Sequence, residues 1–303
     1  MALFASNVAL ATIVCTYVLS FITVICIAIY VFVRVHLIGI YRLSLENIST
    51  SLAILITMGL VAQITWAVTD EGQGEHVAEV TRSQFELTAK SLLVSEVLWA
   101  LVNTFMRLSG LLSLHSLFMR DSFRFQAIVL MWASIIHGIA SLMSAVLICR
   151  PIQASWNTEV QGTCGNQTAA YVSLEVGGLL IDICILASPV YPILKLRLPL
   201  KQKILVLFVL SAGAMVTVIT ALRIAALHRI NSYDFSYDQG YLGLLSAVGA
   251  LLSIISCCAI SLVPFVRHLH SIFPSRRRVD SVYTDQRLLF RFVCLYFKSK
   301  VRA

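Results

Sequence analysis

Seven stretches of apolar residues, each about as long as a bilayer is thick, run along the chain between short polar segments. They cover roughly residues 9–33, 47–68, 91–118, 126–149, 170–194, 204–226 and 241–266. A helix needs about 20 apolar residues to cross the hydrocarbon core, so each stretch predicts one membrane-spanning helix. The first resembles a signal peptide, but it is too long for one and has no basic segment before it and no small-residue cleavage site after it. It is expected to be a retained span. The predicted fold is an all-α membrane protein, a seven-transmembrane helix bundle over residues 1–266, followed by a basic tail at 267–303.

Loop charges predict the orientation. One set of connections carries Arg34, Arg42, Arg120, Arg124, Lys195, Arg197, Lys201 and Lys203, and the basic tail follows on the same side. The other set carries Arg82, Lys90, Arg150 and Arg229 among Asp70, Glu71, Glu75, Glu79 and Glu86. Lys and Arg are retained on the cytosolic side, which puts the N-terminus outside and the C-terminus in the cytosol.

Composition agrees with a lipid environment. Of the 303 residues, 58% are hydrophobic and only 13% are charged, against about a quarter in soluble domains. That is too little charge to cover a soluble globule of this size, which argues against a cytosolic enzyme or a disordered regulator. The net charge of +8 does not point to nucleic acid, because nine of the 23 Lys and Arg lie in the last 37 residues and most others in short loops. No nucleic-acid partner is expected. The tail holds Arg276, Arg277, Arg278 and an apolar, cation-interspersed segment around Cys294, which reads either as an interfacial anchor or as a solvated basic tail.

The eight Cys form no CxxC pair, so no zinc module is expected, and no metal site or cofactor with it. Cys149 and Cys164 bracket a connection predicted to face the oxidising side, where they are either a local disulfide or two free thiols. Asn166-Gln-Thr in that connection is a candidate glycosylation site. Asn47-Ile-Ser falls on the cytosolic side and is expected to be silent.

Ionisable groups in hydrocarbon are costly and mark candidate sites. Glu96, Asn103 and Arg107 share one face of the third span, and Glu175 and Asp182 share one face of the fifth. Arg223 lies late in the sixth, and His115 and His137 complete the set. Two readings are open. In one, the set is a structural network, with Arg107 pairing Asp182 and Arg223 snorkelling to the outer interface. In the other, Glu96, Glu175 and Asp182 are catalytic candidates, with Glu96 and Glu175 opening into a shared pocket for a hydrophobic ligand and a carboxyl donating a proton. Each His alone reads more simply as a packed core residue. There is no P-loop, no HExxH and no GxSxG, and the seventh span has no Lys on which a retinal Schiff base could form. Ser188-Pro-Val-Tyr-Pro192 predicts a kinked span end.

Several short motifs occur in an order that resembles the fungal rhodopsin-domain family, the satratoxin-cluster membrane protein family of seven-span integral membrane proteins. They are Gly72-Gln-Gly-Glu-His76; Arg107-Leu-Ser109; Cys149-Arg-Pro151 with Trp156, Gly162 and Cys164; Asp182 with Pro189; Lys203; Arg223; and Pro264 with Arg267. The resemblance covers about residues 15–270. The chain departs from the family's pattern at Glu46-Asn-Ile-Ser, where paired acid and Trp are common, and at the wholly apolar Ala247–Leu252, where a Glu is frequent.

The resemblance implies a polytopic membrane protein in the plasma membrane or endoplasmic reticulum, associated with fungal secondary-metabolite biosynthesis. There it would bind or act on a hydrophobic small molecule, as a membrane-bound cyclase or hydrolase. The alternative it implies is a G-protein-coupled-receptor-like membrane sensor. A transporter is disfavoured, because no inverted repeat or pair of broken helices is visible.

Overall fold

The computed structural model describes residues 7–33, 45–75, 81–117, 121–157, 160–190, 200–229 and 235–272. Seven helices in it are long and apolar enough to cross a membrane. They are α1 (Asn7–Phe32), α2 (Leu45–Asp70), α3 (Arg82–Leu117), α4 (Asp121–Leu147), α5 (Gln167–Ala187), α6 (Leu200–Arg229) and α7 (Phe235–Ile272). Residues Met1–Val263 form one compact unit and Pro264–Ala303 a second. The arginine cluster at 276–278 and Cys294 lie outside the described residues.

Several helix ends fall outside the apolar stretches because polar caps, not hydrophobicity, set them. α3 begins nine residues before the apolar run at 91. Thr81 and Gln84 form a capping box there: the Gln84 N–H donates to Thr81 Oγ1 at 3.4 Å, and the Thr81 N–H donates to Gln84 Oε1 at 2.9 Å. α5 begins at Gln167 because Asn166 caps it, its side chain accepting from the Ala169 N–H at 3.0 Å. α5 stops at Ala187, just before Ser188-Pro189, and residues 191–199 lie outside the described residues.

Consecutive helices from α1 to α6 pack on one another. α7 closes the bundle against α1, α2 and α3. Leu60, Ile64, Trp99, Val102, Ala247, Ala250, Ile254, Cys257 and Cys258 form the largest apolar core there. Small residues on α7 let the other helices approach closely. The outer faces of α1 and α4 carry exposed Val14, Phe21, Phe32, Phe125, Trp132 and Ile136, as expected of lipid-facing surfaces.

Parts of two connections lie among the described residues. Between α2 and α3 the chain turns down into the bundle through Gly72 (φ 72°) and Gly74 (φ 93°). Gly74 donates its N–H to Ser236 O at 2.9 Å, and Ser236 Oγ donates to Gly72 O at 2.8 Å. A Cβ on Gly240 of α7 would stand 2.9 Å from the Gly74 nitrogen, so both positions need glycine for the two backbones to meet.

Between α4 and α5 lies a short hairpin that the apolar pattern did not predict. Cys149–Arg150 (β1) pairs antiparallel with Thr163–Cys164 (β2), around a single 3₁₀ turn at Ile152–Ser155. Cys149 and Cys164 are joined by a disulfide. Closing a loop of 15 residues removes chain entropy equivalent to about 3 kcal/mol from the unfolded ensemble. Lys90 of α3 sits over the Trp156 ring at 5.8 Å, which places the two connections at the same end of the bundle.

Candidate functional site

The intramembrane ionisable residues gather where α3, α5, α6 and α7 meet. Arg223 of α6 is the centre, and its side chain is 0% exposed. It forms ion pairs with Glu96 of α3 and with Glu175 of α5. Its Nε donates to Ser246 Oγ of α7 at 3.0 Å. Its guanidinium carbon lies 4.5 Å from the centre of the Trp99 ring, a cation–π contact, and Trp99 Nε1 in turn donates to Glu175 Oε1 at 2.9 Å. One guanidinium therefore ties together side chains from four helices. The snorkelling expected from its position late in the span does not occur. Two carboxylates and a ring face meet it inside the bundle, and a buried guanidinium is tolerated only when its donors are satisfied in this way.

The second pair lies on the same faces of α3 and α5. Arg107 Nε donates to Asp182 Oδ1 at 2.7 Å and Nη2 donates to Asp182 Oδ2 at 3.0 Å, a bidentate fork. Arg107 reaches α5 across Gly178, where any Cβ would stand 2.9 Å from Nη2. His137 of α4 joins from the side. Its Nε2 donates to the Leu174 carbonyl at 2.9 Å, which leaves Nδ1 as the acceptor 3.5 Å from Arg107 Nη1. Within the two groups, three carboxyls meet two guanidiniums, one acid in excess.

Between the groups lies a cavity of about 30 Å³ lined by Glu96, Asn103, Arg107, His137, Tyr171 and Glu175, among others. That is room for one or two waters. Pockets for drug-sized ligands are roughly ten times larger or more. The shared pocket expected for Glu96 and Glu175 thus exists as a water-sized polar gap, and both carboxyls that would line a catalytic pocket are engaged by Arg223.

A larger crevice of about 230 Å³ lies elsewhere, between α1, α2 and α7, lined by Ser20, Thr23, Val24, Ile54, Leu251 and Ile254, with Ile27 and Met58. It holds no ionisable group.

Of the residues singled out in the sequence, Glu96, Glu175 and Arg223 form one group and Arg107 and Asp182 the other. Asn166 is exposed at the start of α5, where its side-chain oxygen is used as a cap. Asn47 sits in the first turn of α2 and accepts from Tyr30 Oη at 3.3 Å. Ser109 of the Arg107-Leu-Ser109 motif is fully buried and links α3 to Thr50 of α2 at 2.6 Å and to Cys257 of α7 at 3.1 Å. Trp99 and Ser246 were not anticipated. Trp99 follows Glu96 by three positions and precedes Asn103 by four, so its place on the polar face was readable from helical spacing. Among the described residues no group of three or more His, Cys, Asp or Glu could hold a metal.

The fungal rhodopsin domain matches residues 31–268 of the chain, which contain both ion-pair groups and the hairpin. Neither the curated proteins nor the solved structures give a match.

Proposed function

The chain belongs to the fungal rhodopsin domain family, and from that premise we propose that it is a receptor-like membrane sensor rather than a membrane-bound cyclase or hydrolase. The observation that carries this reading is the single buried guanidinium of Arg223, shared by Glu96, Glu175 and Ser246. A buried ion cluster is satisfied in this arrangement and costly to break, so it is a contact that a helix movement would have to exchange for another. A stimulus that moves α6 must break the contacts of Arg223 with α3, α5 and α7 or carry those helices with it. Chemistry on a metabolite fits less well, since the cavity is water-sized and neither glutamate is unpartnered.

The test is guanine-nucleotide exchange on a heterotrimeric G protein, measured in membranes carrying the wild-type chain or the Glu175→Gln variant. Glu175→Gln leaves Arg223 with one carboxylate and balances the acids against the bases. The expected result is a basal exchange rate that differs at least several-fold between the two at equal expression. Equal rates, both at the level of membranes lacking the chain, overturn the reading.

The crevice between α1, α2 and α7 favours a second reading, in which the protein binds a hydrophobic metabolite of a secondary-metabolite pathway. An apolar cavity of about 150 Å³ is enough to take up a benzene-sized molecule, and this crevice is larger. Loss of one compound and build-up of its precursor when the gene is deleted would support that role.

A further inference from the structure

Under the α2–α3 connection, away from both ion-pair groups, four buried oxygens have no hydrogen-bond donor: Gln63 Oε1, Glu71 Oε2, Gln73 Oε1 and Gln239 Oε1. Glu71, Gln73 and Gln239 are 1%, 3% and 1% exposed. The four residues are knitted around one turn of α3. Gln63 Nε2 donates to Ser91 Oγ and faces the Ser91 carbonyl at 3.4 Å. Gln239 Nε2 donates to Thr88 O at 2.9 Å, and Gln73 Nε2 donates to Gln239 O at 2.9 Å. Thr88 Oγ1 donates to the Glu71 carbonyl at 3.0 Å.

These contacts fix which way each amide points. A backbone carbonyl can only accept, so in all three glutamines the nitrogen faces the carbonyl and the oxygen is turned away. Flipping any of them would lose a bond made at present. Burial of such acceptors without a donor is rarely tolerated in native structures. All four oxygens ask for the same thing, a donor or a positive charge. Water would satisfy the amides, but only a cation or a proton would balance the carboxylate. Glu71 forms no ion pair among the described residues. Lys90 lies between Thr88 and Ser91 in sequence, but it is exposed and sits over Trp156. Asp70, Glu75 and Asp238 flank these residues in the chain, so the surrounding segments are acidic.

One carboxylate with neutral amide oxygens, and no sulfur or imidazole, is the donor set of a hard cation. A single negative charge balances a monovalent ion and leaves a divalent one uncompensated. We propose that Gln63, Glu71, Gln73 and Gln239 bind a monovalent hard cation of the sodium class. Glu71 supplies the charge and the glutamine oxygens the neutral ligands. Bound there, the ion would pin the α2–α3 connection to α3 and α7. Burial pushes the Glu71 carboxyl above the usual range, Asp70 acts in the same direction, and the Ser91 hydroxyl opposes them. A proton therefore competes for the site, and the assay belongs at mildly alkaline pH.

The experiment uses the full chain in nanodiscs. Thermal unfolding is followed in sodium chloride and in choline chloride of equal ionic strength, for the wild type and for Glu71→Gln. The expected result is a saturable rise of several degrees in the wild-type Tm with sodium. Glu71→Gln should unfold at the same temperature in both salts, at or above the wild-type value in choline. Sodium-23 relaxation on the wild type, displaced by lithium, gives a second reading that needs no variant to fold. Identical wild-type Tm values in the two salts and no sodium-23 broadening overturn the proposal, and buried water beside a protonated Glu71 then accounts for the four oxygens.

Discussion

Replacing Arg223 with Met is expected to destabilise the bundle by about 3–5 kcal/mol, a large share of the stability of most folds. The reason is what remains. Glu96 and Glu175 are 7% and 11% exposed, and both would lose the cation that compensates them. Ser246 loses its donor and the Trp99 ring loses the charge stacked on it. The loss comes from stranded carboxylates, not from the value of the ion pairs, and this has a consequence. The triple variant Arg223→Met, Glu96→Gln, Glu175→Gln is expected to recover most of the loss, because neutral amides can bond one another and no buried charge is left. The check is the monomeric fraction of detergent-extracted protein after a heating series. If the triple variant unfolds as early as the single one, packing around Arg223 matters more than charge.

The second large effect is at Arg107. Arg107→Met strands Asp182, whose side chain is 17% exposed, and is expected to cost about 3 kcal/mol, at the lower end of the range for a broken buried pair. Arg107→Lys is the informative comparison. An ammonium keeps the charge but cannot make the bidentate fork to Asp182 and also face His137 Nδ1, so a smaller loss of about 1 kcal/mol is expected. The same heating series separates them. Equal losses for Met and Lys would mean that geometry, not charge, holds α3 to α5.

Much of this architecture was legible in the sequence, and the rest was not for identifiable reasons. Seven helices followed from the lengths of the apolar stretches, because lipid demands internally bonded backbone. The Cys149–Cys164 bridge was one of two readings of two Cys bracketing a single short connection, and the disulfide is the one that forms. What the apolar pattern missed was polar. Thr81-Arg-Ser-Gln84 is a capping signal, but it lies in water-exposed sequence that a search for apolar residues passes over. The hairpin depends on two residues a side, too few for a periodicity.

The site was legible by element but not by partner. Spacing put Glu96 and Arg107 on one face of α3, and Glu175 and Asp182 on one face of α5. It could not say which guanidinium would meet which carboxylate. Arg223 was expected at the interface because a long side chain near a span end can reach water. Inside the bundle it finds two acids and a ring instead. The depth to which the Gly72–Glu75 segment enters the bundle was likewise hidden, since its Gly and Gln residues read as loop. Only the meeting of Gly74 with Gly240 shows why the connection can reach α7.

One guanidinium, that of Arg223, couples four helices. Hydrogen exchange of the Glu175→Gln variant in nanodiscs, read by mass spectrometry against the wild type, tests it most directly. Faster exchange is expected in all four helical segments that meet at Arg223, around residues 96, 175, 223 and 246, with α1 unchanged. Faster exchange confined to α5 around residue 175 would contradict it, and the cluster would then be a set of local contacts with no role in joining the helices.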